Sequence, residues 1–550
     1  MPTTLLSLRQ DDAVGNAATL REGTAALANG AVLTLSAGCY PVKTPLGEHL
    51  FDELMSGRIA ATAYDTWRDT KNVVMTLKDR EDLILDGQGA TLVFSGLIQP
   101  FALENCHHIT IRNLTIDWDR PLYSTGTILG ADAEKIRVRP DAHCPLKGGE
   151  PVVSYQDFDE DTVRPRGHCL FEGIDPVELL PDGTVLLRGP ETDTFSAGSR
   201  LLFRHIYSYA PVFHLYRCSH ITFENVTIRA GVGMGVIAHG CEELSFRRLQ
   251  VCPTDGRLMS VNCDATHFIG CSGAITFEDC FFEAMGDDAA NVHGFYLTTL
   301  KTLSPGALLA KLDVTTQDFY MEAPAVGDTV EFVHKETLLP YEEHKRRRVA
   351  SVTELGDQQV MLTFDRPLPD GFRPGDRITN LSRMASLRFE RCTVRNIRGR
   401  AVLIQTRNAA VKDCLFEGCT GEGVHINTAI GWSESAATRQ VTVENCIFRH
   451  CGYGFTKYCD AVGVVVGTEC EAMTHGVHRD IRIRNNHFIG ERPAILLTCC
   501  EDVVVDGNRY EGCEAAVVTA YVRRVTVSDA GEESIRRGEA TESLTAERQV

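Results

Sequence analysis

One phrase recurs along this chain: an alternating apolar strand, a closing Asn, Asp, Arg or Gly, then a second apolar pair. It reads HITIRNLTI at 108–116, HITFENVTI at 220–228, AITFEDCFF at 274–282, SLRFERCTV at 386–394 and QVTVENCIF at 440–448. DIRIRNNHF follows at 480–488 and DVVVDGNRY at 502–510. Equivalent positions fall one repeat apart in several places. Asn225 to Arg248 is 23 residues, and Arg391 to Asp413 and Asn485 to Gly507 are 22 each. Strands with period two, closed by turn residues and repeated at this interval, stack into a β-solenoid. A leucine-rich repeat has a similar period but needs a regular LxxLxL frame, which is missing. The expected fold is therefore all-β, a right-handed parallel β-helix.

Breaks in the rhythm divide the chain. Residues 1–119 read as an N-terminal cap and the first coils, with an amphipathic helix expected from Ala13 to Ala28 to cover the open end of the core. Residues 120–205 read as an inserted small β module carrying KIRVRPD, GTVLLRG and AGSRLLFRH. Coils resume over 206–295 and yield over 296–385 to a second, related insertion containing DTVEFVHK and QQVMLTFD. C-terminal coils occupy 386–530, and 531–550 reads as a polar tail. Insertions in a solenoid cluster on one face and often build a binding cleft.

The 74 acidic residues outweigh 55 basic ones, a net charge of -19. Nucleic acid and anionic membrane surfaces reward a basic patch and are poor partners for such a chain. No run of about 18 apolar residues offers a membrane span. The opening MPTTLLSLRQDDAVGN lacks the basic and apolar regions of a secretory signal. The expectation is an intracellular chain, or an exported one whose signal has been removed. Twenty cysteines are too dilute for a disulfide scaffold. Cys280, Cys392, Cys414 and Cys446 share one slot of the phrase, which predicts an interior ladder of small thiols.

The densest polar segment is VNCDATHFIGCSGAITFEDCFFEAMGDDAANVHG, with Asp264, His267, Asp287, Asp288, Asn291 and His293. Asp264 and Asp287 stand 23 residues apart, one coil, which places them on adjacent rungs about 4.8 Å apart along the axis. Side-chain splay then gives a carboxyl separation on the order of 6–9 Å, room for a sugar oxygen and a water between an acid and a base. Asp287 and Asp288 cannot both leave one regular strand in the same direction, so a turn is expected, with Gly286 supplying backbone freedom. Crowded like charges raise one pKa, which suits proton traffic.

The bland reading of a GDD is a plain turn. It loses weight because Asp264 sits one coil away and Asn291 and His293 follow closely. His267 and His293, each alone, read as packed core histidines. Together, however, His267, Asn291 and His293 are candidate substrate contacts, joined by Arg398, Arg400 and Gln405 on the next coils and then Glu422, His425 and Trp432, the last as a platform for a sugar face. No CxxC pair or DxDxDG loop supplies metal-ligand spacing, so neither metal nor cofactor is expected.

At NCDATHF…GDDAANVHG the chain resembles glycoside hydrolase family 110, the α-galactosidases that remove terminal α-1,3-linked galactose. DGQGATLVFSG at 86–96, HITIRNLTIDW at 108–118 and RAVLIQT at 400–406 are similar as well. The resemblance runs from about residue 10 to 525, insertions included. It implies an inverting, metal-independent exo-hydrolase acting on galactosides such as the blood group B determinant. It also implies Asp264 as general acid and the Asp287–Asp288 pair as base. Two other readings fit the residues: a pectinase-like hydrolase or lyase of uronic acid polysaccharide, and a β-helix that binds carbohydrate without cleaving it.

Overall fold

The computed structural model describes residues 2–59, 72–159, 164–171, 173–312, 320–454 and 463–546. Its strands stack in parallel into three faces of a β-helix, as the repeat predicts. One face runs through Phe213–Tyr216, Val236–His239, Thr266–Ile269, the start of Ala290–Ser304, Val402–Gln405, Val424–Ile426 and Val464–Val466. The second contains the first half of each recurring phrase, from His107–Trp118 to Val517–Val527. The apolar pair ending each phrase forms the third.

Between the second and third faces the chain turns through one left-handed residue per coil. Asn113, Asn225, Arg248, Asp279, Arg391, Asp413, Asn445 and Asn485 all have φ between 52° and 56°. Asn and Asp tolerate this region because their short side chains bond locally; Gly507 takes it without a steric penalty. The polar letter of the phrase is therefore the corner of the coil.

The next residue points inward, and here the cysteine ladder lies. Cys280, Cys392, Cys414 and Cys446 are buried, and the Cys392 N–H donates to Cys414 Sγ at 3.4 Å. Towards the C-terminus asparagine takes the slot: the Cys446 N–H donates to Asn486 Oδ1 and the Asn486 N–H to Asn508 Oδ1, both at 2.9 Å. The slot needs a small side chain that accepts from the N–H of the slot residue on the preceding coil, since a buried amide left unpaired costs about 1–3 kcal/mol. A second ladder, unread in the sequence, stacks Cys106, Cys218, Cys241 and Cys271 between the first and second faces. Phenylalanines fill the remaining core: Phe223, Phe246 and Phe277 stack with centroids 5.1 and 4.7 Å apart.

The cap helix spans Ala13–Ala25, three residues shorter than expected. Asp12 accepts from the Gly15 N–H at 2.8 Å, and Leu20 packs into the core. A second helix, Pro45–Met55, and a leading strand, Thr3–Leu6, carry no repeat signal in the sequence. The polar stretch after Asp529 keeps stacking: Ile535–Arg537 and Thr541–Ala546 both pair in parallel with Val517–Val527.

The two insertions are built differently. The first is a seven-stranded antiparallel sheet with open edges over its own core of Ile136, Val138, Tyr155, Leu187 and Phe203. The second closes on itself. Ala290–Ser304 leaves the helix face and pairs with Ala307–Leu312, which pairs with Gln359–Phe364. The ring continues through Arg347–Gly356, Thr329–Val333 and Arg377–Asn380 and returns to the first strand. Leu297, Leu308, Val330, Phe332, Leu362 and Ile378 fill this barrel.

The described cysteines are all free thiols. Thiol titration of the denatured protein without reductant is expected to count most of the twenty cysteines. A majority in disulfides would overturn the ladder as a reduced, packed column.

Candidate functional site

On the first face the register stacks polar residues coil upon coil. The N–H groups of Ala265, Ala289 and Ala401 donate to the carbonyls of Asp288, Arg400 and Glu422. Asp264, Asp288, Arg400 and Glu422 therefore share one slot on four successive coils. The partner of Asp264 across the coil boundary is Asp288, and Asp287 lies one residue before it. Further along, His267 aligns with Asn291 and Leu403, and Ile269 with His293 and Gln405. Positions two apart face the same way, so His267 and Ile269, like Asn291 and His293, share the outer side.

The turn at 286–288 forms as expected, but Gly286 serves another purpose. It is not in the left-handed region; a Cβ there would lie 2.0 Å from the Asn262 carbonyl oxygen. Its missing side chain lets the turn press against the preceding coil, where its N–H donates to Val261 O at 2.9 Å. Gly399 does need its φ of +121°, and its Cβ would come within 2.9 Å of both Asp287 Oδ1 and Asp288 Oδ1.

The adjacent aspartates have unequal partners. Asp288 is 1% exposed and is held by Arg400, whose backbone N–H and Nε donate to Oδ1 at 2.8 and 2.9 Å while Nη2 meets Oδ2 at 2.8 Å. Burial still pushes its carboxyl up to about 7, against Arg400 and with help from the charges of Asp287 and Asp264. Asp287 accepts at Oδ2 from Arg398 Nη1 at 2.7 Å and from the Tyr207 hydroxyl at 3.2 Å. Burial works to raise it, but Arg398, Arg400 and Arg204 together outweigh burial and hold it below the usual carboxylate range. Asp264 is raised by burial, against the hydrogen bond and charge of His267. One coil thus carries a carboxyl biased towards its protonated form, and the next carries one biased towards ionisation.

His267 bridges outward from Asp264. Its Nδ1 lies 2.6 Å from Asp264 Oδ2 and its Nε2 lies 2.8 Å from His293 Nε2; His293 Nδ1 lies 2.6 Å from Gly294 O. Glu434 closes the group. It accepts from Gln405 Nε2, and from Asn291 Nδ2 at 3.5 Å, and its Oε1 is 3.8 Å from His293 Nε2. Burial favours its neutral form, but His293, His267 and Gln405 outweigh that and hold it ionised below the usual range. The donor atoms of His267, His293 and Glu434 fall within 4.8 Å of one another, a grouping that no linear spacing reveals.

Of the sequence-named contacts, Arg398 and Arg400 bond the aspartates, His293 meets His267, and Asn291 and Gln405 bond Glu434. Glu422 follows Arg400 in the stack. His425 lies beside Leu403, its Nδ1 3.7 Å from Glu422 Oε2, and burial lowers its imidazole to about 4, so it is neutral near pH 7. Trp432 is 50% exposed, on the turn that leads into Glu434. Sequence reasoning missed Glu434, although the loop around Trp432 pointed to it. It also missed Arg204, the last residue of the strand that closes the first insertion, and Tyr207 just beyond it. Arg204 is buried, donates to Ser154 Oγ at 2.6 Å and Asn262 O at 2.7 Å, and its guanidinium lies 5.3 Å from the Tyr207 ring centre. Neither belongs to a repeat.

Fold and site together define a parallel β-helix with a buried carboxylate–arginine cluster on one outer face and a β-barrel spliced in beside it. The right handed beta helix region family matches residues 377–530, and the family described as GLAA-B beta-barrel domain II matches 316–378. The chain is 28% identical over 450 residues to alpha-1,3-galactosidase B of Bacteroides thetaiotaomicron, covering 76% of this chain and 71% of the relative. It is 26% identical over 491 residues to alpha-1,3-galactosidase A of Akkermansia muciniphila, covering 84% and 80%. Among solved structures, the family 28 exopolygalacturonase of Yersinia enterocolitica aligns with 100% of this chain and 78% of its own, at 10% identity and a TM-score of 0.40. The chain is a homologue of the α-1,3-galactosidases, in keeping with the resemblance to glycoside hydrolase family 110 read from the aspartate segment.

Replacing Gly286 by Ala forces its Cβ into Asn262 O and should cost about 1–3 kcal/mol in urea unfolding. Gly431→Ala, whose Cβ meets nothing within 4 Å, is the control and should leave the midpoint unchanged.

Proposed function

We propose that this protein hydrolyses terminal α-1,3-linked galactosides, such as the blood group B determinant, with inversion at the anomeric carbon. The supporting observation is the opposed bias of two carboxyls on adjacent coils: Asp264 is raised and Asp287 is lowered. An inverting enzyme needs a proton on its acid and a lone pair on its base over the same pH range. Asp264 donates to the glycosidic oxygen as the C1–O bond breaks. Asp287 takes a proton from the water whose oxygen attacks C1 from the opposite side. Asp287 is the better base of the pair because Arg398 and Tyr207 both bond to Oδ2, leaving Oδ1 for water. Asp288 is committed to Arg400, and we assign it the positioning of that guanidinium. Asn291, Gln405, Glu434 and Trp432 offer acceptors and an aromatic face to the sugar; Glu422 and His425 extend the same wall.

The relatives' names support the bond and sugar class, and the aspartate arrangement supports hydrolysis over binding alone. Incubation with α-1,3-galactobiose and with galacturonan distinguishes these readings: galactose release from the first and nothing from the second is expected. Early proton NMR should show β-galactose before mutarotation; early α-galactose would mean retention and remove the acid–base assignment. Asp264→Asn should lose about 10²–10⁴-fold on the disaccharide and far less on a substrate whose leaving group needs no acid. Asp287→Asn should lose activity on both. Hydrolysis should persist in excess EDTA, because every step above is carried by carboxyl groups; loss restored by calcium would reassign the aspartates to coordination.

A further inference from the structure

The two imidazoles beside Asp264 pose a problem of lone pairs. His293 Nδ1 lies 2.6 Å from a backbone carbonyl oxygen, which can only accept, so Nδ1 carries the hydrogen and the neutral ring presents a lone pair at Nε2. When His267 donates from Nδ1 to Asp264 Oδ2 at 2.6 Å, it too presents a lone pair at Nε2. The two Nε2 atoms face each other across 2.8 Å: while Asp264 is protonated and donates to His267 Nδ1, the Nε2 hydrogen of His267 bridges them, and once Asp264 is ionised and accepts from Nδ1 both nitrogens offer lone pairs to a cation. Glu434 brings a carboxylate oxygen to the same point, with all three donor atoms within 4.8 Å. Beside it, Asn291 Oδ1 and Gln405 Oε1 are buried without a hydrogen-bond partner. These unpaired oxygens add acceptors around the point where the three donor atoms meet.

We propose that His267, His293 and Glu434 form a seat for a divalent transition-metal ion of the zinc class, and that its occupation stops hydrolysis. The outer nitrogens are already fixed as metal-binding imidazoles require, one by a carboxylate and one by a backbone carbonyl. Two nitrogens and one carboxylate oxygen suit zinc, cobalt or copper; calcium and magnesium take oxygen sets. With bonds of about 2.0–2.1 Å a tetrahedral ion holds its donors about 3.3 Å apart. The imidazoles therefore open by roughly half an ångström and Glu434 closes in. Three protein ligands leave a fourth position for water or a sugar hydroxyl. Blocking hydrolysis follows from position and rests on the reading above: the ion moves His267, from which Asp264 hangs, and withdraws Glu434 from Gln405 and the sugar.

The test uses the full chain, stripped with chelator and dialysed. One equivalent of Co²⁺ should give the visible absorption of a tetrahedral nitrogen–oxygen site, and Zn²⁺ should displace it. His293→Gln and Glu434→Gln should each weaken Co²⁺ binding by more than about 100-fold, with circular dichroism and thermal melting confirming that each is folded. Glu434→Gln retains both imidazoles and keeps the test decisive if the histidine variant does not fold. Absent bands, bands unchanged in a folded variant, or a thiolate-to-cobalt charge-transfer band placing the ion on cysteines would each overturn the seat. Stoichiometric Zn²⁺ should abolish galactose release, and EDTA should restore it. Full activity with the seat occupied would overturn the blocking role. A protein that binds Co²⁺ as described but cleaves no galactoside would retain the seat and refute the proposed hydrolysis.

Discussion

Backbone N–H groups of each coil bond along the helix axis to carbonyls of the next, so the place of a side chain is set by register and hardly at all by its neighbours in sequence. Asp264, Asp288, Arg400 and Glu422 span 158 residues and a whole inserted barrel, yet occupy one slot. The corners make this possible. A left-handed residue followed by a small acceptor turns the chain identically on coil after coil, and any slip in that geometry would displace every outward side chain beyond it.

The electrostatics of the site follow from which coil brings which charge. Three arginines surround Asp287, two from a later coil and one, Arg204, from the first insertion. Asp288, although gripped by Arg400, sits where burial and two like charges prevail. Neighbours in sequence thereby acquire opposite tendencies. Desolvating so many ions costs several kcal/mol apiece, and the apolar columns beneath supply the rigidity that keeps the pairs together. The insertions contribute more than cover, since Arg204 and Tyr207 reach the aspartates from one and the strand bearing Asn291 and His293 runs into the other.

Where the chain repeats itself, its structure was legible in the sequence. The period identified the solenoid, the polar letter of the phrase marked the corner, and the shared cysteine slot marked a core column. Spacing alone located Asp264 and the Asp287–Asp288 pair on adjacent coils, though the true register pairs Asp264 with Asp288. Gly286 was recognised for its absent side chain but assigned a conformational role, because a close approach to Asn262 depends on the coil beneath. Glu434 and Arg204 were not legible. Each enters from a segment outside the repeat, and its position depends on a fold-back that periodicity does not describe. The final strands were hidden for the opposite reason: they pair as strands with almost no apolar alternation.

Those strands bear on edge-to-edge pairing. A stack of parallel coils ends, at both extremities, in a row of unmet backbone donors and acceptors that could recruit another chain edge to edge. At the start, the helix Ala13–Ala25 lies over the core. At the other end, among the described residues, Ile535–Arg537 and Thr541–Ala546 present arginine, glutamate, serine and threonine, mostly exposed. Arg536 and Arg537 are tied to Glu514 and Glu532. A rung so poor in apolar surface gives an incoming strand little to bury and asks it to dehydrate charges. The polarity that obscures this segment as a strand is also what makes it a poor template for another.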